Sequence, residues 1–301
     1  MTLLLVATGD EIAHRKSGVA TGSELLAMAG EPPDRVVVED MMAEPSWDTS
    51  VSTQLALARR VRKALADDEF DGVVVTHGLD TLEETAFLTD LMAGPARGGI
   101  VFTGAFHPLS VPDPDGPDNI AASLIAAADP ALRGAGAVVC VRHELHAARW
   151  VRLGLGFTSA PHPMLGRVAR GEVHLTAAPP PRLPVIDGEP ESDVALIKTY
   201  PDMPASLLTT VTDLGARGVV LEGTGKGNVP VELFGAVMEL SQMDIPVVVA
   251  SRMFTVDIGL VERMGAIGAA GLSAQQARMA LMVALSKGGG VEAARDYFTN
   301  F

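Results

Sequence analysis

The 301-residue chain predicts an α/β fold: a doubly wound, flavodoxin-like N-terminal domain followed by a smaller α/β domain. Three observations carry this expectation. Short β-branched runs recur between longer alanine- and leucine-rich stretches. The runs are apolar nearly throughout, as parallel strands are when helices cover both faces. One proline-rich tract then interrupts the rhythm late in the chain.

Taken in order, strands are expected at "TLLLVATG" (2–9), "RVVVED" (35–40), "DGVVVTHG" (71–78), "GIVFTGA" (99–105) and "GAVVCVR" (136–142). Between them, "SVSTQLALARRVRKALADD" (50–68) places Leu55, Ala58, Val61 and Leu65 on one helical face. "TLEETAFLTDLMA" (81–93) opens with Thr81 and Glu84 in capping-box spacing. The tract "TAAPPPRLPVIDGEPESD" (176–193) holds five prolines and continues neither a helix nor a central strand. This gives an N-terminal domain over 1–178, a linker over 179–193 and a C-terminal domain over 194–301. In the last, "VALIKTY", "GVVLEG" and "IPVVVASR" read as strands, and "VELFGAVMELSQM" and "SAQQARMALMVALSK" as helices.

Composition narrows the function. Hydrophobic residues make up 48% of the chain, enough for a real core. The 37 acidic and 23 basic side chains leave a formal charge of −14, which repels nucleic acid and anionic membrane surfaces alike. The single cysteine, Cys140, sits in an apolar run and suits a reducing compartment. The opening residues have no positive n-region and too short an apolar run for a secretory signal, so the expected location is the cytoplasm.

Ligands of open α/β sheets gather beyond the carboxyl ends of the strands. Four exits draw attention: "ATGDE" (7–11), "THGLDTLEET" (76–85), "TGAFHP" (103–108) and "EGTGKGN" (222–228). Asp80 could bind an ammonium group or act as a base; alternatively Asp80 and Thr81 only satisfy free helix amides. "EGTGKGN" fits neither the Walker spacing nor the dinucleotide fingerprint and reads as a glycine turn. "HELH" (143–146) spaces two histidines three apart, one short of the zinc-protease pattern, so ordinary loop histidines are favoured. Ser46, in "EPSWDTS", is a nucleophile only beside a base and otherwise starts a helix, where Asp48 and Ser50 would serve equally well.

Together these stretches resemble the bacterial-type L-asparaginase/glutaminase family. "ATGDEIA" parallels that family's A-T-G-G-T-I-A, and "VVVTHGLDTLEETA" parallels V-I-T-H-G-T-D-T-M-E-E-T-A. "DGPDNI" (115–120), "EGTGKGNVP" and "GLSAQQAR" follow in the same order. The resemblance implies a homotetramer built from close dimers, sites shared between neighbouring subunits, and no metal or organic cofactor.

Residue by residue, it implies an altered site. The nucleophilic threonine falls on Glu11, with the preceding threonine kept as Thr8. A second catalytic threonine falls on Leu79. Asp80 stands where the family holds the substrate's ammonium group, and Ser46 where it holds the α-carboxylate, with Trp47 replacing a glutamine. The family lysine falls on Leu153, with Arg152 just before it as a replacement. The activating tyrosine is missing from "HRKSGVATGSELL". From a neighbouring subunit, Thr224 or Lys226 takes the place of a substrate-proximal asparagine, and Asn228 is kept as scaffold.

Asp10 is read as the replacement of a turn glycine, and Glu11 as the residue that decides function. Two carboxylates, Glu11 and Asp80, sharing a pocket would raise one pKa and allow acid/base work. The favoured reading is an enzyme acting on a small amino-acid-like or amide substrate by amidohydrolase-type chemistry, distinct from standard L-asparagine hydrolysis. Its substrate contacts would be Thr8, Ser46, Trp47, Asp80, Arg152 and Lys226. The alternatives are a catalytically inactive ligand-binding or accessory homologue, and a lyase, cyclase or isomerase on the same scaffold.

Overall fold

The computed structural model describes all residues except 67–69, 95 and 254–255, together with the side chain of Ile258. It divides into two compact units, Met1–Arg182 and Leu183–Phe301. Residues 176–193 carry no helix or strand.

The first unit is built on an eight-stranded sheet. Its strands are β1 (Thr2–Ala7), β2 (Arg35–Asp40), β3 (Gly72–Thr76), β4 (Gly99–Thr103), β5 (Ala137–Val141), β6 (Glu144–Ala147), β7 (Gly166–Ala169) and β8 (Glu172–Leu175). They lie in the order β8-β7-β6-β5-β4-β3-β1-β2. The first five pair in parallel, with Leu4 opposite both Val37 and Val73, and Val101 opposite Val74 and Val138. This 2-1-3-4-5 order is flavodoxin-like, and its reversal between β1 and β3 is where such sheets open a crevice for a ligand.

The apolar runs are strands because both of their faces are covered. Leu3, Leu5, Val74, Val101 and Val138 form one layer with Leu25 of α1 (Gly22–Met28) and with Ile120 and Leu124 of α4 (Gly116–Ala128). Helices α2 (Val51–Ala66) and α3 (Leu82–Ala93) pack on each other and against the sheet. Each of these fully buried Leu or Val side chains contributes about 1.5–3 kcal/mol. The helix expected over 50–68 therefore runs to Ala66, and its last two residues lie outside the described ones. Ser50 caps it, its hydroxyl accepting the Thr53 N–H at 3.2 Å.

The antiparallel strands β6, β7 and β8 extend the sheet beyond the sequence expectation. β5 folds back through Arg142 and His143, both with positive φ (52° and 62°), and β7 through Arg170 and Gly171 (54° and 78°). Two-residue hairpin turns of this handedness normally announce themselves as Asn-Gly or Asp-Gly. Neither pair offers that signal.

The second unit carries a parallel sheet of β9 (Val194–Lys198), β10 (Gly218–Gly223), β11 (Val247–Ser251) and β12 (Ile267–Gly268), in that order. Its core joins Val219, Leu221, Val247 and Val249 to Leu233 and Val237 of a helix over Leu233–Gln242. The helix Ala274–Ala284 begins with a Ser273–Gln276 capping box.

Candidate functional site

The chain leaves β1 through Gly9 and Asp10, both at positive φ (86° and 66°), and enters a one-turn 3-10 helix, Glu11–Ala13. Buried Ile12 and Ala13 anchor that turn. Gly116, at the start of α4, lies so near that a Cβ there would sit 2.9 Å from Ile12. A short hairpin follows, pairing His14–Arg15 with Gly18–Val19, and Ala20 N–H closes it onto the Ala13 carbonyl at 2.8 Å.

The exits of β2 and β3 meet this loop. Ser46, 2% exposed, begins a 3-10 turn over Ser46–Asp48, and Leu79–Thr81 forms another after β3. Asp10 bridges the first two loops: its Oδ1 accepts the Glu11 N–H at 2.7 Å and its Oδ2 the Ser46 N–H at 2.5 Å. Thr81 bridges the second and third, Oγ1 donating to the Ser46 carbonyl at 2.9 Å. The capping-box role expected of Thr81 is corrected here: it makes no side-chain cap bond to α3, because its hydroxyl is committed to Ser46. Gly78 is required by this convergence, since a Cβ on it would overlap both Asp10 Oδ2 and Ser46 Oγ.

Beside these loops lies a cavity of ≈ 250 Å³. Asp10, Glu11 and His14 form its polar wall; Val19, Ala43, Pro45 and Trp47 form the apolar one. Trp47 is 68% exposed, an unusual placement for an indole and one that leaves a ring face available to a ligand. Asp115, the first residue of "DGPDNI", holds the loop after β4 by accepting the Phe106 and His107 N–H groups. Asn119 ties that loop to the β5 exit through Gly104 and Arg142.

The two adjacent acids are electrostatically unequal. Partial burial pushes the Asp10 carboxyl up, but hydrogen bonds from Glu11 and Ser46 outweigh it and hold it below the ordinary carboxylate value. Glu11 goes the other way: hydrogen bonding to Asp10, then desolvation, then the charges of Asp10 and Asp80, push it up to about 7. The two therefore titrate as a pair, with protonation favoured at Glu11 over Asp10. His77, fully buried behind Gly78, is held neutral by desolvation; its Nδ1 meets the Gly78 carbonyl at 2.8 Å.

Of the residues singled out from sequence, Glu11 and Trp47 line the cavity, while Ser46 meets it through Asp10. Asp80 is exposed and near enough for its charge to act on Glu11. Leu79, in the same turn, packs toward Gly104. Thr8 stands apart: its hydroxyl donates to the Thr76 carbonyl at 2.6 Å, tying β1 to β3. Arg152 is 8% exposed and feels the Glu83 charge; burial lowers it to about 10, and its NH1 donates to the Ala160 carbonyl. Glu83, which accepts the Leu153 N–H at 2.7 Å, is pushed up to about 7 by burial. His146 of "HELH" is buried against the Ser159 hydroxyl at 2.8 Å. Lys226 belongs to the second unit, exposed on a turn closed by Thr224 and Asn228.

The sequence reading passed over Asp10 as a simple glycine replacement, and over Gly78 and Thr81 as supports of the site. The usable signal was an aspartate directly after a turn glycine, where a left-handed backbone is needed.

A doubly wound sheet with an acid-walled cavity at the exits of β1 and β2, followed by a second parallel α/β unit, defines the class of protein. The domain family "Asparaginase, N-terminal" matches residues 2–181, and the glutaminase/asparaginase C-terminal domain matches 193–298. The chain thus belongs to the asparaginase family. It is 28% identical over 271 residues to an L-asparaginase of Bacillus licheniformis, covering 82% of this chain and 80% of that one. It is 26% identical over 316 residues to a glutaminase-asparaginase of Pseudomonas fluorescens biotype A, covering 95% and 86%. Among solved structures it is similar to a probable cytoplasmic L-asparaginase from Campylobacter jejuni, with a TM-score of 0.86 at 25% identity over 99% of both chains. The thermostable L-asparaginase from Thermococcus kodakarensis gives 0.85 at 26% identity, over 99% of this chain and 97% of that one. No helix among the described residues is long and apolar enough to cross a membrane.

Proposed function

We propose that the chain is a hydrolase of small amides or amino-acid-like compounds whose acid/base chemistry runs through Glu11 in place of a hydroxyl nucleophile. The observation that supports this is the Glu11 carboxyl, raised to about 7 at the wall of a ≈ 250 Å³ cavity. A general base works best with a pKa near the working pH. Ionised Glu11 takes a proton from water, and the hydroxide attacks the amide carbonyl. As the tetrahedral intermediate collapses and the C–N bond breaks, protonated Glu11 returns that proton to the leaving nitrogen, giving a carboxylic acid and ammonia. Asp80 orients the substrate's ammonium group, and Trp47 covers its carbon chain.

The protein assembles from copies of itself in this reading, with Lys226 of one copy offered to the cavity of another. The test is ammonia release from a panel of small amides. Turnover that is lost in Glu11→Gln supports the reading; turnover unchanged in that variant, or none with any amide, rejects it.

A further inference from the structure

The Asp10 carboxylate is placed as a bound anion would be. It accepts two backbone N–H groups that converge from different loops, Glu11 on one and Ser46 on the other. Converging main-chain amides of this kind are carboxylate and phosphate sites. Here the anion comes from the chain itself. Asp10 reaches it from φ 66° and ψ −162°, a conformation that is essentially glycine-only and that persists where the surroundings over-determine it. Gly78 leaves room for the carboxylate and for nothing more.

Beside that carboxylate, at the same point over Gly78, lies Ser46 Oγ, 2% exposed, its hydroxyl one of the hydrogen-bonding groups that hold Asp10 ionised. A hydroxyl that already faces the built-in carboxylate strengthens its hold on the position. What remains for a ligand is Glu11, His14 and the nearby Asp80 on the polar side, and Val19, Ala43, Pro45 and the open Trp47 ring on the apolar side. None of the described residues lining the cavity is Lys or Arg.

We infer that Asp10 fills the anion-binding position of this cavity as a built-in ligand, so that the site takes an organic ammonium compound carrying an amide and no carboxylate beside its ammonium group. This rests on the amide-hydrolase reading for the amide, and on Asp10 and Ser46 for the exclusion of the carboxylate. A ligand bearing its own carboxylate would have to displace Asp10 from two hydrogen bonds and set like charges together. An ammonium group meets Glu11 and Asp80, with the Trp47 face available for a cation–π contact.

The test uses two compounds that differ only in the carboxylate, 3-aminopropanamide and L-asparagine. Their binding to the full-length protein is measured by calorimetry at neutral pH, with ammonia release followed separately. The wild type is expected to bind 3-aminopropanamide more tightly by on the order of tenfold, given the price of like-charge contact. In Asp10→Gly, which vacates the position and relieves the backbone, L-asparagine becomes the tighter ligand. Asp10→Asn keeps the shape without the charge and narrows the preference; circular dichroism checks that both variants fold.

Wild type that binds L-asparagine as tightly as 3-aminopropanamide, or that binds neither, overturns the inference. So does an unchanged preference in both folded variants. Selective binding of 3-aminopropanamide with no ammonia release from any amide of the panel supports this inference and rejects the hydrolase reading. Equal turnover of the two compounds does the reverse.

Discussion

Thr81 Oγ1 donates to the carbonyl of Ser46 at 2.9 Å, joining the exit of β3 to the exit of β2. This bond fixes the far side of Ser46, whose N–H is held by Asp10 on the near side. Replacing Thr81 with Val keeps the shape and removes the donor. The expected cost is about 1 kcal/mol of stability, the usual net value of one such hydrogen bond. Because the loosened turn carries Ser46, ligand affinity should fall as well. Chemical denaturation and calorimetry on one preparation check both; affinity unchanged beside the stability loss would confine Thr81 to a scaffold role.

Glu11 sets the pH dependence of the proposed reaction. As a general base it must be ionised, so kcat/KM should climb with pH through about 7, the value to which Asp10 raises it. Glu11→Gln removes the limb together with the activity. Asp10→Asn takes away the neighbouring charge, so the limb should move toward lower pH, nearer the ordinary carboxylate value. Rates measured over roughly pH 5 to 9, which brackets the limb, decide it. A limb that stays in place in Asp10→Asn would show that Asp10 does not control the proton.

The parallel strands could be read from sequence because burial on both faces leaves little choice of residue: "VVVT" in β3 and "VVCV" in β5 are buried throughout. The antiparallel extension was hidden because Arg142 and His143 turn the chain without any turn-forming residue. In the site, Glu11 lies at a strand exit the sequence marks, whereas Ser46 and Trp47 enter as substrate contacts only through the family resemblance; Glu11 and Trp47 line the cavity. Thr8 and Arg152 illustrate what such placement leaves open, since the partner of each is supplied by a distant segment: Thr76 for one, Glu83 and Ala160 for the other. The reach of Asp10 depends on a backbone conformation that residue identity alone disfavours. Capping-box spacing misled at Thr81 for a related reason: a tertiary acceptor took the hydroxyl.

Glu83 makes folding pH-dependent. Burial raises its carboxyl from an ordinary 4.5 to about 7, and the Arg152 charge offsets only part of that. A group with a raised folded pKa gives stability that is fully present below its unfolded value and is lost as pH rises through the folded one. Between 4.5 and about 7 the wild type should therefore lose stability that Glu83→Gln does not. The difference should be on the order of 2–3 kcal/mol. The amide oxygen can still accept the Leu153 N–H, so the variant should fold. Urea denaturation across the pH range reads the slope directly, and equal slopes in the two proteins would contradict the buried-acid account.

Lys226 tests whether sites are shared between copies of the chain. Its backbone is rigidly placed: Gly225 and Gly227 have positive φ, the Ser251 hydroxyl bonds to the Gly225 carbonyl, and the Asp257 N–H bonds to the Lys226 carbonyl at 2.7 Å. An exposed lysine on a turn held this firmly spends little further backbone order when it engages a neighbouring cavity. Lys226→Ala should accordingly lower turnover while leaving the fold intact. The sharper measurement mixes Lys226→Ala with Glu11→Gln, dissociates the chains and lets them reassemble. If each cavity draws Glu11 from one copy and Lys226 from another, random pairing restores about one quarter of the wild-type activity, as expected of mixed symmetric oligomers. If both residues act from the same chain, no mixture contains an intact site, and activity stays at the level of the two variants assayed alone.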